Sequence, residues 1–183
     1  GIGSDHECTT VEEAMEKLRL GMYIMIREAT NAHNLAPLLP MITPENARRI
    51  CFCTDDRHPA DLLDEGGVDF LVRAAIKSGL DLVTAIRMAT LNTAEWFRLY
   101  DRGGIRPGHR GDLIVFDDPE EFDVRLVFRG GKVVAENGQM LPVDVPERPS
   151  YLRGSININW NTMDFTIHAE GRRAHVIGVL PDQ

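Results

Sequence analysis

The fold is decided by a short stretch, Met22-Tyr23-Ile24-Met25-Ile26-Arg27-Glu28, in which five apolar residues lead directly into a charged pair. A continuous apolar run of this length predicts a β-strand buried on both faces, as in a parallel sheet. The same pattern recurs in Ile50-Cys51-Phe52-Cys53, which is followed by Thr54-Asp55-Asp56-Arg57-His58. At the start of the chain, Gly1 to Ser4 resembles the end of a third strand, and Asp5-His6-Glu7 follows it. Each of the three predicted strands therefore ends in a charged loop.

Helical patterns lie between and after these strands. Thr10 and Glu13 form a capping box that predicts a helix start, and Gly21 predicts the end of that segment. Asn31 is expected to cap a short helix that includes Leu35. The alternation of strands and helices predicts an α/β fold with a parallel sheet. The other helix signals are Pro59 in a first turn, an apolar stripe over 68–76, Asp81 as a cap, and Asn92 or Thr93 as a start.

The pattern changes after Asp101, where glycine and proline mark a loop. Short strands are predicted at 112–116, 124–128 and 132–135, and Gly130-Gly131 is expected to form the hairpin turn between the last two. A linker marked by Pro142, Pro146 and Pro149 follows, with strand candidates beyond it at 156–160, 164–169 and 175–180.

Composition limits the class of protein. The chain has 183 residues, of which 43% are hydrophobic, enough for one sizeable core or for a large and a small one. A net charge of −8 disfavours a sequence-independent nucleic-acid binder, which needs a basic face. No apolar run approaches the roughly 20 residues that a bilayer requires, which argues against a transmembrane protein. Three cysteines, Cys8, Cys51 and Cys53, argue against a disulfide scaffold and predict a reducing compartment, the cytoplasm.

The ends of the sequence predict that this chain is a piece of a longer protein. It opens directly on a strand end and a charged loop, without an initiator Met, and residues 175–180 have the pattern of a strand that has just finished. A mature product with tidy ends is the alternative.

The three charged loops are candidates for a catalytic site. In a sheet of parallel strands, the loops at the carboxyl ends share one face, where active sites are built. Their imidazole and carboxylate groups suit a divalent metal. Such an ion can lower the pKa of a coordinated water to near neutrality, and a nearby aspartate can transfer the proton.

Each loop also has an interpretation without chemistry. Asp5-His6-Glu7 alone is typical of a polar loop with a capping role, and Asp55-Asp56 before Pro59 is typical of an N-cap. Arg27-Glu28 is typical of a surface ion pair. Cys51 and Cys53 on a buried strand are expected to pack rather than to bind metal.

Several segments resemble the amidohydrolase superfamily. Thr90-Leu91-Asn92-Thr93-Ala94, Gly104 to Gly108 and Asp112 to Phe116 are similar to the end of its metal-dependent (β/α)8 barrel and the small β-domain beside it. The similarity narrows to the adenine deaminase family on Ser4 to Glu7, Leu20 to Glu28, Asn34-Leu35, and Thr54 to Pro59 with Asp61-Leu62. The match covers nearly the whole chain in order and spacing.

This resemblance implies roles for individual residues. His6 corresponds to a metal-ligand histidine after the sixth barrel strand. Asp55 corresponds to the aspartate after the eighth strand, which is both a metal ligand and the catalytic proton shuttle. The positions expected near the substrate are Arg27, Glu28, Asp56 and Arg57. Ala29-Thr30 departs from the Gly-Ser that usually follows Arg-Glu in the family.

The resemblance also implies that parts of the site are missing. No His-x-His pair occurs in this sequence, and the family's bridging glutamate and a further ligand histidine would lie upstream of Gly1. A whole (β/α)8 barrel takes about 250 residues. The expected fold is therefore α/β, a partial TIM-type barrel made of the last three βα units, followed by a small β-rich domain.

The implied function is hydrolytic deamination of adenine to hypoxanthine and ammonia by the parent enzyme, with the isolated chain inactive. One alternative is another amidohydrolase that acts on a cyclic amide or a different aminated base. Another is a non-catalytic scaffold or assembly segment. The implied cofactor is a divalent metal, manganese or iron(II), with zinc as the alternative. The implied partners are a purine base and further copies in a homo-oligomer, with no nucleic acid and no membrane.

The expected domain boundaries follow from the same comparison. Residues 1–101 are expected to form the carboxyl-terminal portion of the barrel, and 102–143 the returning β-segment. Residues 144–183 are expected to form a linker and the start of a further carboxyl-terminal domain.

Overall fold

Three short strands form a parallel sheet in the computed structural model, which describes residues 1–142, 147, 149, 151, 156–168 and 171–178. The strands are β1 (Ser4–Asp5), β2 (Tyr23–Arg27) and β3 (Ile50–Cys53), and they lie in the order β1-β2-β3. Asp5 pairs with Ile24, and Arg27 pairs with Cys53. The parallel sheet expected from the apolar runs is confirmed.

Helix α1, Val11–Arg19, connects β1 to β2. The Thr10 hydroxyl accepts the Glu13 backbone N–H at 3.3 Å, and the Glu13 carboxylate accepts the Thr9 backbone N–H at 3.3 Å. This is the capping interaction that the sequence predicts. Gly21 follows at a φ of +87°, a left-handed conformation that glycine adopts without steric cost, and the chain turns into β2.

The segment between β2 and β3 corrects the prediction that Asn31 caps a helix. Helix α2 is a single turn, Leu35–Leu38, and it begins after Asn34. Glu28 and His33 form an isolated antiparallel bridge, so the chain between them is a tight loop rather than the start of a helix. Two short 3-10 helices, Leu39–Met41 and Ala47–Arg49, lead on to β3.

Among the residues that the structure describes, four α-helices follow β3, and three of them pack against it. Their bounds are α3 Pro59–Asp64, α4 Val68–Lys77, α5 Leu82–Ala89 and α6 Leu91–Trp96, of which α4, α5 and α6 contact β3. Pro59 occupies the first turn of α3, and the Asp81 carboxylate accepts the Thr84 backbone N–H at 2.9 Å at the start of α5. Both predicted starts are confirmed. Helix α6 begins at Leu91, one residue before the earlier predicted start.

The core lies between the sheet and these helices. Ile24, Ile26 and Ile50 are completely buried in it, together with Leu71 of α4 and Met88 of α5. The opposite face of β2 carries side chains that are only half-buried at Tyr23 and Met25. The prediction that both faces of β2 are buried is confirmed for the face of Ile24 and Ile26. The face of Tyr23 and Met25 is only partly buried. None of the helices among the described residues is long and apolar enough to cross a bilayer.

An antiparallel sheet follows the helices. It consists of β4 (Leu113–Phe116), β5 (Val124–Arg129), β6 (Lys132–Glu136) and β7 (Gln139–Met140), in that order. Gly130 and Gly131 join β5 to β6 at φ values of +58° and +79°, which confirms the predicted hairpin turn. Phe122, which precedes β5, is buried in the helical core and packs against Phe116 with ring centroids 4.6 Å apart.

The chain divides into two compact units, and the second lies within Pro142–Val179. Its described residues contain a short 3-10 helix, Trp160–Thr162, and no strand. The predicted strands at 156–160, 164–169 and 175–180 are wrong over their described parts, because none of those residues pairs with a neighbouring strand. Ala169, Val179 and Leu180 lie outside the described residues, as does Pro146 of the predicted linker.

Asn92 ties α6 to the entry of β3. Its side chain is 1% exposed, and the amide nitrogen donates to the backbone carbonyls of Ala47 at 2.8 Å and Ile50 at 2.7 Å. Asn92→Ala would leave the buried Ile50 carbonyl and the partly buried Ala47 carbonyl without this donor, so we expect a loss of about 2 kcal/mol of unfolding free energy. Urea denaturation measures it, with the exposed Asn161→Ala as the matched control. A loss no larger than that of the control would show that these hydrogen bonds contribute nothing.

Candidate active site

The carboxyl ends of β1, β2 and β3 bring the three charged loops to one edge of the sheet. Asp5 ends β1 and is followed by His6, Arg27 ends β2, and Asp55 lies two residues beyond β3. The parallel register places these positions side by side. The predicted meeting of the three loops is what the structure shows.

His6, Glu7 and Asp55 form a cluster of potential metal ligands. The Nε2 atom of His6 lies 4.0 Å from Oδ2 of Asp55 and 3.3 Å from Oε1 of Glu7. One ligand atom from each of the three residues lies within 4.8 Å of the others. The cluster brings together an imidazole and two carboxylates from the first and third loops.

This donor set fits a divalent metal. Histidine nitrogen and carboxylate oxygen bind such ions at about 2.0–2.2 Å, so two donor atoms 4.0 Å apart are close enough to share one ion. His6 and Asp55 are the ligands that the resemblance implies, and Glu7 is a third candidate that it does not.

The buried Arg27 contacts the carboxylates of both Glu7 and Asp55. Its side chain is 7% exposed, and its Nη1 atom forms an ion pair with Oε2 of Glu7 at 2.7 Å and donates a hydrogen bond to Oδ2 of Asp55 at 2.8 Å. Its Nε atom donates to Oδ1 of the buried Asn34 at 2.7 Å. The interpretation of Arg27-Glu28 as a surface ion pair is therefore wrong, because Arg27 is buried and its partners are Glu7, Asp55 and Asn34.

The backbone at Asp55 has an unusual conformation. Its φ is +52°, in the left-handed region that non-glycine residues seldom adopt, although asparagine and aspartate do so more often than most. Helix α3 begins after His58, so neither Asp55 nor Asp56 is its N-cap. The interpretation of this aspartate pair as a helix cap is wrong.

Glu28 has both carboxylate oxygens engaged with the loop that follows β2. Oε1 lies 2.8 Å from Nδ1 of His33, and Oε2 accepts the Leu35 backbone N–H at 2.9 Å. These contacts hold the loop closed and stabilise the start of α2. Glu28 thereby fixes the position of Asn34, which lies between these two partners in sequence.

Arg57 and Asp56 differ in exposure. The Arg57 side chain is 3% exposed; it pairs with Glu65, donates to the Glu28 carbonyl at 3.2 Å and lies over the Phe70 ring, 4.4 Å from its centroid. Asp56 has an exposed side chain at the same edge. Of these two predicted substrate contacts, only Asp56 is open to a molecule in solution.

Thr30, where this sequence departs from the family pattern, forms hydrogen bonds to the loop after β3. The Thr30 hydroxyl accepts the His58 backbone N–H at 2.8 Å and contacts the Asp61 carboxylate. The Thr30 backbone N–H donates to the Asp56 carbonyl at 3.2 Å. Thr30 therefore joins the loop after β2 to the loop after β3.

A second polar cluster supports the first loop from behind. Lys17 Nζ lies 2.5 Å from Oδ2 of Asp5 and 2.6 Å from Oε1 of Glu13, and Cys8 Sγ lies 3.2 Å from Asp5 Oδ2. Burial raises the pKa of the Cys8 thiol to about 12, with its hydrogen bond to Asp5 acting in the same direction. The Lys17 ammonium pairs with both carboxylates, so in this structure the cluster is an ion-pair network.

Analysis of the sequence missed three residues of this edge. Glu7 directly follows His6 in a loop that the sequence already marks as a candidate, so it could have been predicted as a further ligand. Lys17 lies on α1 four residues after Glu13, a spacing typical of a helical ion pair, and its contact with Asp5 is an additional one. Asn34 carried no local signal for its contact with Arg27.

Comparison with known proteins places the chain in a family. Residues 1–134 match the model of the amidohydrolase family. The chain therefore belongs to the amidohydrolase family. A solved structure of β-aspartyl dipeptidase from Fervidobacterium islandicum AW-1 superposes with a TM-score of 0.59 at 18% identity, over 74% of this chain and 38% of that one. This likeness bears on the fold alone, and with the family it places the chain in a TIM-barrel-type fold.

Two of the similar curated proteins are adenine deaminases. The chain is 54% identical over 185 residues to an adenine deaminase of Desulfatibacillum aliphaticivorans, and 46% identical over 184 residues to adenine deaminase 2 of Carboxydothermus hydrogenoformans. Both alignments cover 100% of this chain and 32% of the relative. The chain spans about a third of the length of the relatives it matches.

The Lys17 cluster gives a prediction about acid stability. Burial alone would raise the pKa of Asp5, but hydrogen bonds from Lys17, Cys8 and the Glu7 backbone outweigh it and lower that pKa to about 2 from 3.8. The charged form is thus favoured in the folded state, a contribution of about 2 kcal/mol that is present above pH 4 and is lost between pH 4 and pH 2. Lys17→Met should abolish most of it.

Denaturation at pH 7 and pH 3 measures this effect. Lys77→Met is the control, because Lys77 forms an exposed ion pair with Glu121 and its loss should cost less than about 1 kcal/mol. Equal losses for the two lysine variants at pH 7 would show that Asp5 gains nothing from its partner.

Proposed function

We propose that this chain is the carboxyl-terminal part of the barrel of a longer, metal-dependent adenine deaminase, which converts adenine and water to hypoxanthine and ammonia. The observation that carries the proposal is the 4.0 Å separation of His6 and Asp55, which approach each other from the ends of two different strands. The 41–54% identity to adenine deaminases over nearly the whole chain supports the choice of substrate.

In this proposal His6 and Asp55 hold the metal. Manganese or iron(II) is our first choice and zinc the alternative, since an imidazole and a carboxylate suit all three. The bound ion would activate water for attack on the purine ring. The remaining ligands would come from other parts of the longer protein, because a catalytic metal of this kind usually has three or more protein ligands.

Asp55 would also move the proton. Its carboxylate accepts a proton from the water as the water oxygen bonds to the ring carbon that carries the exocyclic amine. It then passes this proton to the amine nitrogen, the carbon–nitrogen bond breaks, and ammonia leaves. Arg27 donates to one oxygen of this carboxylate, Oδ2, and leaves Oδ1 available for the proton.

The substrate would lie at the same edge of the sheet. Among the predicted contacts Arg27, Glu28, Asp56 and Arg57, the exposed Asp56 is our candidate for direct contact with the base. The other three contact the protein and hold the loops at this end of the sheet in place.

The domain assignment belongs to the same proposal. We assign 1–101 to the last three βα units of the barrel, since β1 to β3 and α1 to α6 lie within it. We assign 102–143 to the returning β-segment that contains the antiparallel sheet, and 144–183 to a linker and the start of a further domain. The three free cysteines support a cytoplasmic location, and we expect a homo-oligomer.

Asp55→Asn in the full-length protein tests the proposal. Asparagine keeps the size and an oxygen acceptor for Arg27, and it tolerates the left-handed backbone at this position. It cannot take up a proton, so we expect turnover of adenine to fall by about 10²–10⁴-fold with little change in melting temperature. Ammonia release measures turnover, and elemental analysis measures the bound metal.

Two further variants and a substrate panel complete this experiment. Asp56→Asn should mainly raise KM, and the exposed Asp64→Asn on α3 should change nothing. Cyclic amides and other aminated bases serve as alternative substrates. Near-normal turnover in Asp55→Asn would remove this aspartate from the chemistry, and preferred hydrolysis of a cyclic amide would replace adenine as the substrate.

A further inference from the structure

Arg27 is the buried charged group that contacts the potential metal ligands at the candidate active site. Its side chain is 7% exposed, whereas the Asp55 and Glu7 side chains that it contacts are 23% and 61% exposed. A buried guanidinium is costly unless its donors are paired. The contacts of Arg27 with these carboxylates therefore constrain the carboxylates as much as they satisfy the arginine.

The two carboxylates depend on Arg27 to different degrees. Asp55 lies in a loop with a left-handed backbone, and Glu7 extends from a different loop into the open edge. One atom, Arg27 Nη1, lies 2.8 Å from Asp55 and 2.7 Å from Glu7, so it fixes the spacing between two side chains that no regular element aligns. Without this donor, both would be free to rotate into solvent.

The other side of the guanidinium is held by Asn34. Arg27 Nε donates to Asn34 Oδ1 at 2.7 Å, and Asn34 is itself 3% exposed. The Asn34 backbone N–H donates to the Arg27 carbonyl at 3.2 Å. Glu28 closes the intervening loop through His33 and Leu35, so Asn34 is delivered to Arg27 by the fold of that loop.

We propose that Arg27 is a positioning residue that holds Asp55 and Glu7 in their relative places, and that Asn34 fixes Arg27 for this task. The inference rests on the proposed function for the identity of the reaction. It changes the part given to Arg27, which acts on the substrate through Asp55 rather than by binding the base. It also assigns Asn34 an indirect role in the reaction, because Asn34 contacts Arg27 and not the carboxylates.

The planar guanidinium is needed for this arrangement. Its Nε atom donates to Asn34 on one side, and its Nη1 atom donates to Asp55 and forms an ion pair with Glu7 on the other. A lysine ammonium carries the charge but lacks this fixed fork. We therefore expect Arg27→Lys to restore only part of the activity that Arg27→Met removes.

The test compares Arg27→Met, Asn34→Leu and the double variant in the full-length protein. Loss of groups that orient metal ligands typically costs about 10–100-fold in activity or metal affinity, so kcat for adenine should fall by that factor in each single variant. Because Asn34 acts through Arg27, the double variant should be no slower than Arg27→Met alone. Asn34→Asp keeps an acceptor for Nε and should retain most of the activity.

Binding of the product separates positioning from substrate binding. The dissociation constant of hypoxanthine should change by less than about 3-fold in both single variants, since neither side chain contacts the base under this proposal. Arg48→Met is the control for loss of an arginine, because Arg48 is exposed and pairs with Glu95 away from this edge. A hypoxanthine affinity that falls in step with kcat would overturn the proposal, and so would additive losses in the double variant.

A measurement of metal binding tests the positioning role independently of the substrate, because it requires no turnover. The affinity of the full-length protein for Mn²⁺ should fall by about 10-fold in Asn34→Leu, a side chain that is not a ligand. If the wild-type protein bound Mn²⁺ and deaminated no base, the proposed function would fail and this measurement would still decide the role of Arg27 and Asn34. An unchanged Mn²⁺ affinity in Asn34→Leu would overturn the positioning role.

Discussion

The parallel pairing of β1, β2 and β3 is the constraint on which the candidate site depends. Its register sets Arg27 beside Cys53 and Asp5 beside Ile24, so three loops leave the sheet at the same edge. Side chains alternate between the two faces of a strand, and a slip of one residue would exchange them. Arg27 would then turn toward the apolar core that holds Ile24 and Ile26. The burial of these isoleucines therefore also fixes the direction of the arginine.

The carboxylates at this edge are paired with a cation of the same chain. One guanidinium lies between two carboxylates, and an imidazole lies on the open side of the same pair. A divalent ion shared by His6 and Asp55 would add positive charge. The carboxylate of Glu7 lies close enough to offset part of that charge. In the same way, Lys17 forms ion pairs with both Asp5 and Glu13 next to the first loop. Charge pairing on both sides thus holds the loop that carries His6.

The sequence predicts the local features well because their causes lie within a few residues. The Thr10 and Glu13 cap, the Gly130-Gly131 turn and the apolar strands are features of this kind. The predicted Asn31 cap is wrong because Glu28 and His33 form a bridge, so the residues between them form a tight loop and not the start of a helix. The contacts of Arg27 could not be predicted, since they join three loops that are adjacent only after folding. The alternating pattern at 156–160 shows the converse, because alternation without a pairing partner does not make a strand.

Anomalous diffraction from crystals of the full-length protein grown with Mn²⁺ tests the central claim most directly. The account predicts a peak at about 2.0–2.3 Å from a ring nitrogen of His6 and a carboxylate oxygen of Asp55, with Arg27 still touching both Asp55 and Glu7. A peak bound by neither His6 nor Asp55 would contradict it, and a peak between Asp5, Cys8 and Glu13 would move the metal to the other cluster.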